Sequence, residues 1–200
     1  MANLGSQPIR NAHDLKGFEA EMTLEARLPE QSILDVFSES AAQNPDATAI
    51  TMLMTGAADE QPRQVSYVQL LGQIRRAANM FTDIGGPAPG VAFMLPSLVE
   101  THVTLWGAET AGYAVPINFL LQRESIAELI KTSGAKILVA LGPHPQLDIW
   151  EKALELRSFL TCCGVSSWPP VFHSKGNNSL FLRTLVATRR NPSRTCLRNG

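Results

Sequence analysis

Acidic residues stop at Glu155. Positions 158–200 hold no Asp or Glu, while Lys175, Arg183, Arg189, Arg190, Arg194 and Arg198 give that stretch six positive charges; the residues before it carry 11 basic against 18 acidic side chains. The net charge of -1 therefore hides two segments of opposite sign, and the break marks a boundary near Arg157. Cysteine is missing from everything before Cys162, which excludes a disulfide framework in the body of the chain. Cys162, Cys163 and Cys196 share the acid-free tail and, with His173, match no zinc-ligand spacing. Long apolar runs are also lacking: the central one, Tyr113 to Leu121, is too short to span a bilayer and is broken by Pro116 and Asn118. Met1 to Ser6 shows no basic segment leading into an apolar run, so no secretory signal is expected and a cytoplasmic location is the default. Aromatics are few, and Trp168, Phe172 and Phe181 do not interleave with Arg189, Arg190 and Arg194 as a nucleic-acid surface requires. No specific nucleic-acid partner is expected.

What is present is a succession of amphipathic helices and short apolar strands. Residues 1–31 read as a polar leader with a weak helix over Asp14 to Arg27, ended by Leu28-Pro29. Ser32 and Asp35 predict a helix start, with Ile33, Val36, Phe37 and Ala41 on one face and a stop at Asn44-Pro45. Ala47 to Met54 reads as a strand and Thr55 to Arg63 as an exposed loop. Ser66 and Gln69 form a capping box, after which Leu70, Leu71, Ile74, Ala77, Ala78 and Phe81 recur at helical spacing as far as Gly85-Gly86. Gly90 to Leu95 is a strand. Ser97 with Glu100, and Ser125 with Glu128, predict two more capping boxes. Helices set between short apolar strands predict parallel strands joined by crossover helices rather than a hairpin-rich sheet. No fixed-period repeat is present.

Thr101 to Leu141 organises the rest: a helix ending at Gly112, a strand over Tyr113 to Ile117, a helix to Ser133-Gly134 and a strand over Lys136 to Leu141. The order Gly107-Ala108, Ala111-Gly112-Tyr113, Pro116-Ile117-Asn118, then Ala135-Lys136, Leu138 and Val139, resembles the adenylate-forming ligases, in particular the bacterial acyl-CoA synthetases. Val65-Ser66-Tyr67-Val68-Gln69-Leu70 is similar to a second run of that family, with Val65 and Gln69 standing where it has Leu and Glu. The resemblance covers roughly Ser32 to Leu156. It implies an α/β fold, part of the N-terminal domain of the adenylate-forming ligases, incomplete here and followed by an irregular C-terminal tail.

The resemblance further implies a reaction: a small-molecule carboxylic acid is activated by ATP to an acyl-adenylate and pyrophosphate, and the acyl group passes to coenzyme A. ATP, Mg2+ and CoA are the family's cofactors. The phosphate-binding loop this needs is rich in Ser, Thr and Gly and ends in Lys. Val171 to Ser179 holds Lys175 and Gly176 without that order and reads as a solvated turn. No catalytic, cofactor-binding or metal residue of the family is therefore carried over, and the chain is expected to bind none of the three cofactors and to be inactive alone. The alternative is a small non-catalytic interaction protein derived from the ligase fold.

The positions that match the family's motifs are structural: Tyr67 where its helix begins, and Gly112, Pro116 and Asn118 in the helix-to-strand turn. Gly112 is expected to end its helix with a positive φ, and Pro116 to stand where no backbone donor is needed. Asn118 with Phe119 reads either as turn chemistry or as the border of an acyl pocket. His102 lies two residues from Glu100 and on another helix face, so it reads as a packed or solvent-facing histidine rather than a metal ligand. Three segments follow: the leader 1–31, the partial ligase domain 32–157 and the basic tail 158–200, whose composition suggests out-of-frame translation. A sheet cut short exposes an edge, so self-association through that edge is expected.

Overall fold

The computed structural model describes residues 8–27, 32–156, 166–167 and 185–188. The chain forms two compact units, Met1–Leu71 and Gly72–Gly200, divided within one long helix.

The first unit begins with two short helices, α1 (Ala12–Glu21) and α2 (Leu24–Arg27), in place of one weak helix. Asn11 caps α1 by accepting from the backbone N–H groups of His13 and Asp14, and Thr23 caps α2 by accepting from Ala26. Each cap fixes a start, so the pattern that reads as continuous in sequence is split at Met22-Thr23. In α3 (Ile33–Gln43) the expected cap is present: Ser32 Oγ accepts from Asp35 N–H at 3.2 Å and donates to the Asp35 carboxylate at 2.7 Å. Ala41 is buried and Ile33 and Phe37 are half-buried, but Val36 is exposed and does not share their face.

Strand β1 (Thr48–Met52) pairs antiparallel with β2 (Arg63–Ser66), a strand that the sequence pattern had placed in the loop and in the helix start. This two-stranded antiparallel pair stands beside the expected parallel strands and was not read from the sequence. Its connecting loop is gathered by Glu60, whose carboxylate accepts from Met54 N–H, from Thr55 N–H at 2.9 Å and Oγ1 at 2.8 Å, and from Gly56 N–H at 2.7 Å. Gly56 takes a φ of 71°, a conformation that lets successive N–H groups converge on one anion. These donors hold the Glu60 carboxyl down at about 2, the Met54 N–H contributing most.

Helix α4 (Tyr67–Gly85) opens with the reciprocal cap read from the sequence: Ser66 N–H donates to Gln69 Oε1 at 3.0 Å and Gln69 N–H to Ser66 Oγ at 3.4 Å. Leu70, Leu71, Ile74, Ala77, Ala78 and Phe81 are all buried, as their spacing predicts. Gly86 ends the helix with a φ of 77°.

The second unit is built on a sheet of order β4-β3-β5-β7-β6. Strands β3 (Gly90–Met94), β4 (Tyr113–Pro116) and β5 (Ile137–Ala140) run parallel, with β3 in the middle; β7 (Leu185–Thr188) pairs antiparallel with β5, and β6 (Ser166–Ser167) antiparallel with β7. Every residue of β3 and β5 is buried, the expected state of interior strands covered on both faces. Each large apolar side chain removed from water there contributes roughly 1.5–3 kcal/mol. The crossovers are α5 (Val99–Ala111), packed on β3 and β4, and α6 (Arg123–Ser133). Helix α7 (Ile149–Leu156) packs on β5 and α6, burying Ile149, Ala153 and Leu156.

Two helix starts differ from expectation. In α5 the capping position is Leu98, not Ser97; its N–H donates to Thr101 Oγ1 at 3.3 Å, and Thr101 in turn donates to Pro96 O. In α6 the helix begins two residues before Ser125, after Gln122, with no side-chain cap. Arg123 and Glu124 extend the first turn, so Ser125 and Glu128 fall inside the helix and form no box. At its other end Gly134 takes a φ of 69°, the left-handed stop that glycine permits.

Candidate functional site

In open α/β sheets ligands bind outside the carboxyl ends of the strands, where neighbouring connections diverge. Here the chain leaves β3 toward β4 by α5 and leaves β5 toward the opposite side by α7, so the divergence lies between β3 and β5. Three loops frame it: Leu95-Pro96-Ser97-Leu98, Ile117 to Gln122, and Leu141 to Asp148.

The loop after β4 is a built turn. Asn118 Oδ1 accepts from Leu120 N–H at 3.0 Å, and Asn118 O accepts from Leu121 N–H at 3.2 Å. Lys152, on α7 and largely buried, donates to Phe119 O at 2.9 Å and pairs with Asp148 at 3.1 Å. Arg123 pairs with Glu124 and with Glu155, both at 2.7 Å, joining the start of α6 to α7; the pairs are exposed and screened. Its guanidinium pKa is raised by the hydrogen bond to Glu124 and then by Glu155, while the Glu124 carboxyl is lowered by Arg123. In the third loop His144 Nδ1 accepts from Gln146 N–H at 3.2 Å.

Across the three loops Asp148 is the one Asp, Glu, Lys or Arg, and it pairs with Lys152. The amine that does reach them, Lys152, is spent on Phe119 O and Asp148. The described residues at this edge therefore do not fit a magnesium-bound triphosphate, and among the described residues no group of three or more His, Cys, Asp or Glu is placed to hold a metal. His102 is exposed on α5, and Glu100, two residues away, is buried. The readings made on Val171 to Ser179, on Cys162, Cys163, His173 and Cys196, and on the basic residues of the tail lie outside the described residues, as does Leu28-Pro29; the described parts of the tail expected to be irregular, Ser166–Ser167 and Leu185–Thr188, are strands. Among the described residues no helix is long and apolar enough to cross a membrane.

The motif glycines have a packing reason. A Cβ on Gly107 would lie 2.6 Å from Ala77 Cβ and 3.4 Å from Ile74 O, so its absence lets α5 approach α4 closely. Gly112 follows α5 with a φ of -174°, which overturns the expected positive φ; its requirement is steric. A Cβ there would lie 2.6 Å from Ala88 C and from Pro89 N and would also strike Pro89 O, in the turn where Ala88 takes a φ of 48°. A Cβ on Gly90 would meet the Tyr113 ring at 2.6 Å. Tyr113 thus lies over bare backbone, and its hydroxyl donates to Ser133 O at 2.9 Å, satisfying a carbonyl at the end of α6. Tyr67, at the start of α4, is held through its backbone N–H on Ala47 O at 3.1 Å. Pro116 stands in β4 opposite Phe93. The partners of Lys152, Arg123 and Thr101 were not found from sequence; only Lys152 with Asp148, four apart on one helix, left a local signal.

Residues 37–178 match the profile of a family described as AMP-binding enzyme. Over 150 residues, 74% of the chain, the sequence is 32% identical to marinolic acid-CoA ligase of a Pseudoalteromonas species, strain SANK 73390. The chain spans 23% of that relative's length. The solved fatty acid AMP ligase from Legionella pneumophila matches with a TM-score of 0.51 at 21% identity, over 60% of this chain and 21% of that one. A fatty acyl-adenylate ligase from L. pneumophila, in complex with acyl adenylate and pyrophosphate, matches with a TM-score of 0.50 at 21% identity, over 57% of this chain and 20% of that one. At that identity the structures speak to fold, and their N-terminal arrangement of helices and parallel strands is the one described above.

Proposed function

This chain belongs to the AMP-binding enzyme family, and from that premise we propose that it is the N-terminal part of an ATP-dependent acyl-CoA synthetase and is inactive alone. The observation that carries the reading is the 32% identity, sustained over 150 residues, to a ligase that joins a carboxylic acid to CoA. In the whole enzyme a substrate carboxylate attacks the α-phosphate of ATP, pyrophosphate leaves, and the CoA thiol then displaces AMP from the acyl-adenylate. The segment described here supplies the framework of that chemistry. It sets three parallel strands with their carboxyl ends level, and ties the loop after β4 to α7 through Lys152 and Phe119. Among the described residues of those loops the one charged group, Asp148, is paired with Lys152, which leaves no cation there for a triphosphate and supports inactivity of the chain by itself. Asn118 serves the turn, and the cytoplasm is the proposed location.

The test is ATP-pyrophosphate exchange on the purified chain, with short-, medium- and long-chain, aromatic and alicyclic acids, circular dichroism first establishing that the protein is folded. The expected result is exchange at the background rate with every acid. Acid-dependent exchange above background would overturn the inactive reading and reveal a phosphate site within the chain.

A further inference from the structure

Among the described residues strand β4 lies at one end of the sheet, with β3 as its neighbour. Which of its backbone groups face outward follows from the bonds it makes inward. Tyr113 N–H donates to Pro89 O at 3.2 Å and Ile117 N–H donates to Phe93 O at 3.0 Å. In a parallel ladder alternate residues of a strand serve the same neighbour, so Tyr113, Val115 and Ile117 address β3. Gly112, Ala114 and Pro116 then address the outer side. Gly112 N–H is already committed to Ala108 O at 2.8 Å, and Pro116 has no N–H. Ala114 is left as the single outward donor between Gly112 and Asn118.

From this geometry we infer that the outer edge of β4 is closed to strand addition, and that Pro116 closes it. An added strand, for instance from a second copy of this chain, needs alternating donors and acceptors over several residues. This edge offers one donor and the carbonyls of Ala114 and Pro116. The position of the proline matters. One residue earlier or later it would remove a bond to β3 and open the sheet; at 116 it costs the sheet nothing and removes a donor only from the outside. Self-association of the chain therefore does not run through β4, and the conclusion holds whatever reaction the family member performs.

Two measurements test it. The first is amide hydrogen exchange on the unaltered chain at two protein concentrations. Ala114 is expected to exchange at least about tenfold faster than Val115 and Ile117, with no dependence on concentration. Protection of Ala114 that grows with concentration would show an occupied edge and overturn the inference. The second is sedimentation velocity of Pro116→Val, whose new N–H points outward and restores the second donor. The variant is expected to associate at lower concentrations than the unaltered chain, and Ala114→Pro added to it is expected to abolish the gain. A folded Pro116→Val that sediments like the unaltered chain at every concentration would also overturn the inference. Should the variant fail to fold, the exchange result on the unaltered chain decides.

Discussion

The same substitution, glycine to alanine, is expected to have opposite signs at two positions of this chain. At Gly112 the added methyl would lie 2.6 Å from Ala88 C and Pro89 N, about 0.8 Å inside the 3.4 Å at which ordinary contact begins, and the atoms it meets belong to backbone. A flexible side chain can swing away; a turn with Ala88 at a φ of 48° and proline on its far side cannot. Overpacking of this kind costs typically 1–3 kcal/mol. Moving the Pro89 carbonyl also threatens the bond it accepts from Tyr113 N–H, worth about 1 kcal/mol. Gly112→Ala is therefore expected to destabilise by about 2–4 kcal/mol, a large part of the roughly 5–15 kcal/mol that holds a typical domain folded. At Gly72, inside α4, a Cβ meets only Arg76 Nη1 at 3.6 Å, and Gly72→Ala is expected to stabilise by roughly 0.5–1 kcal/mol through helix propensity. Urea unfolding followed by circular dichroism reads both. With a slope of about 2 kcal/mol per molar urea, Gly112→Ala lowers the midpoint by about 1–2 M, while Gly72→Ala raises it by a few tenths. Equal midpoints for Gly112→Ala and the unaltered chain would refute the steric account of the motif glycine.

Tyr113→Phe keeps the ring over Gly90 and removes the bond from its hydroxyl to Ser133 O, so a loss of about 0.5–1.5 kcal/mol is expected in the same unfolding assay; no loss would remove the hydroxyl from the account. Glu60 gives a pH prediction. Its folded carboxyl is lowered to about 2, below the roughly 4.3 of an unfolded glutamate, so its contribution to the 54–60 loop is fully present above about pH 4.3 and is lost as pH falls through 2. Side-chain NMR titration is expected to place its midpoint near 2, and a midpoint near 4 would show that the four donors do not converge on it. Together with the exchange assay on the folded chain and the association test at Pro116, these outcomes separate the family assignment from the physics of the fold.

How much was legible in the sequence follows from how local each determinant is. Ser32 with Asp35, and Ser66 with Gln69, cap helices within four residues, and the buried face of α4 repeats at the helical period; such features act over one turn and can be read one turn at a time. The caps at Ser97 and Ser125 were misplaced for a related reason. Thr101 competes with Glu100 for the same turn, and Arg123 and Glu124 extend α6 backward, and several neighbouring residues satisfy the same local rule. Strand β2 was lost to the helix that follows it, because Val65 and Ser66 serve both a ladder and a helix start.

The parallel strands, the crossover helices and the family motifs around Gly112 and Pro116 were determined by the sequence itself, since hydrophobic period and glycine or proline placement act through the chain's own covalent geometry. Only the tertiary structure decided why those residues are needed. Gly107, Gly112 and Gly90 make room for Ala77, for the turn at Ala88-Pro89 and for the Tyr113 ring, partners 23 to 30 residues away in sequence for which no periodicity exists. Lys152 finds Phe119 O across 33 residues for the same reason. The parity that turns Pro116 outward is likewise set by β3, because a strand has two equivalent edges until a neighbour occupies one of them.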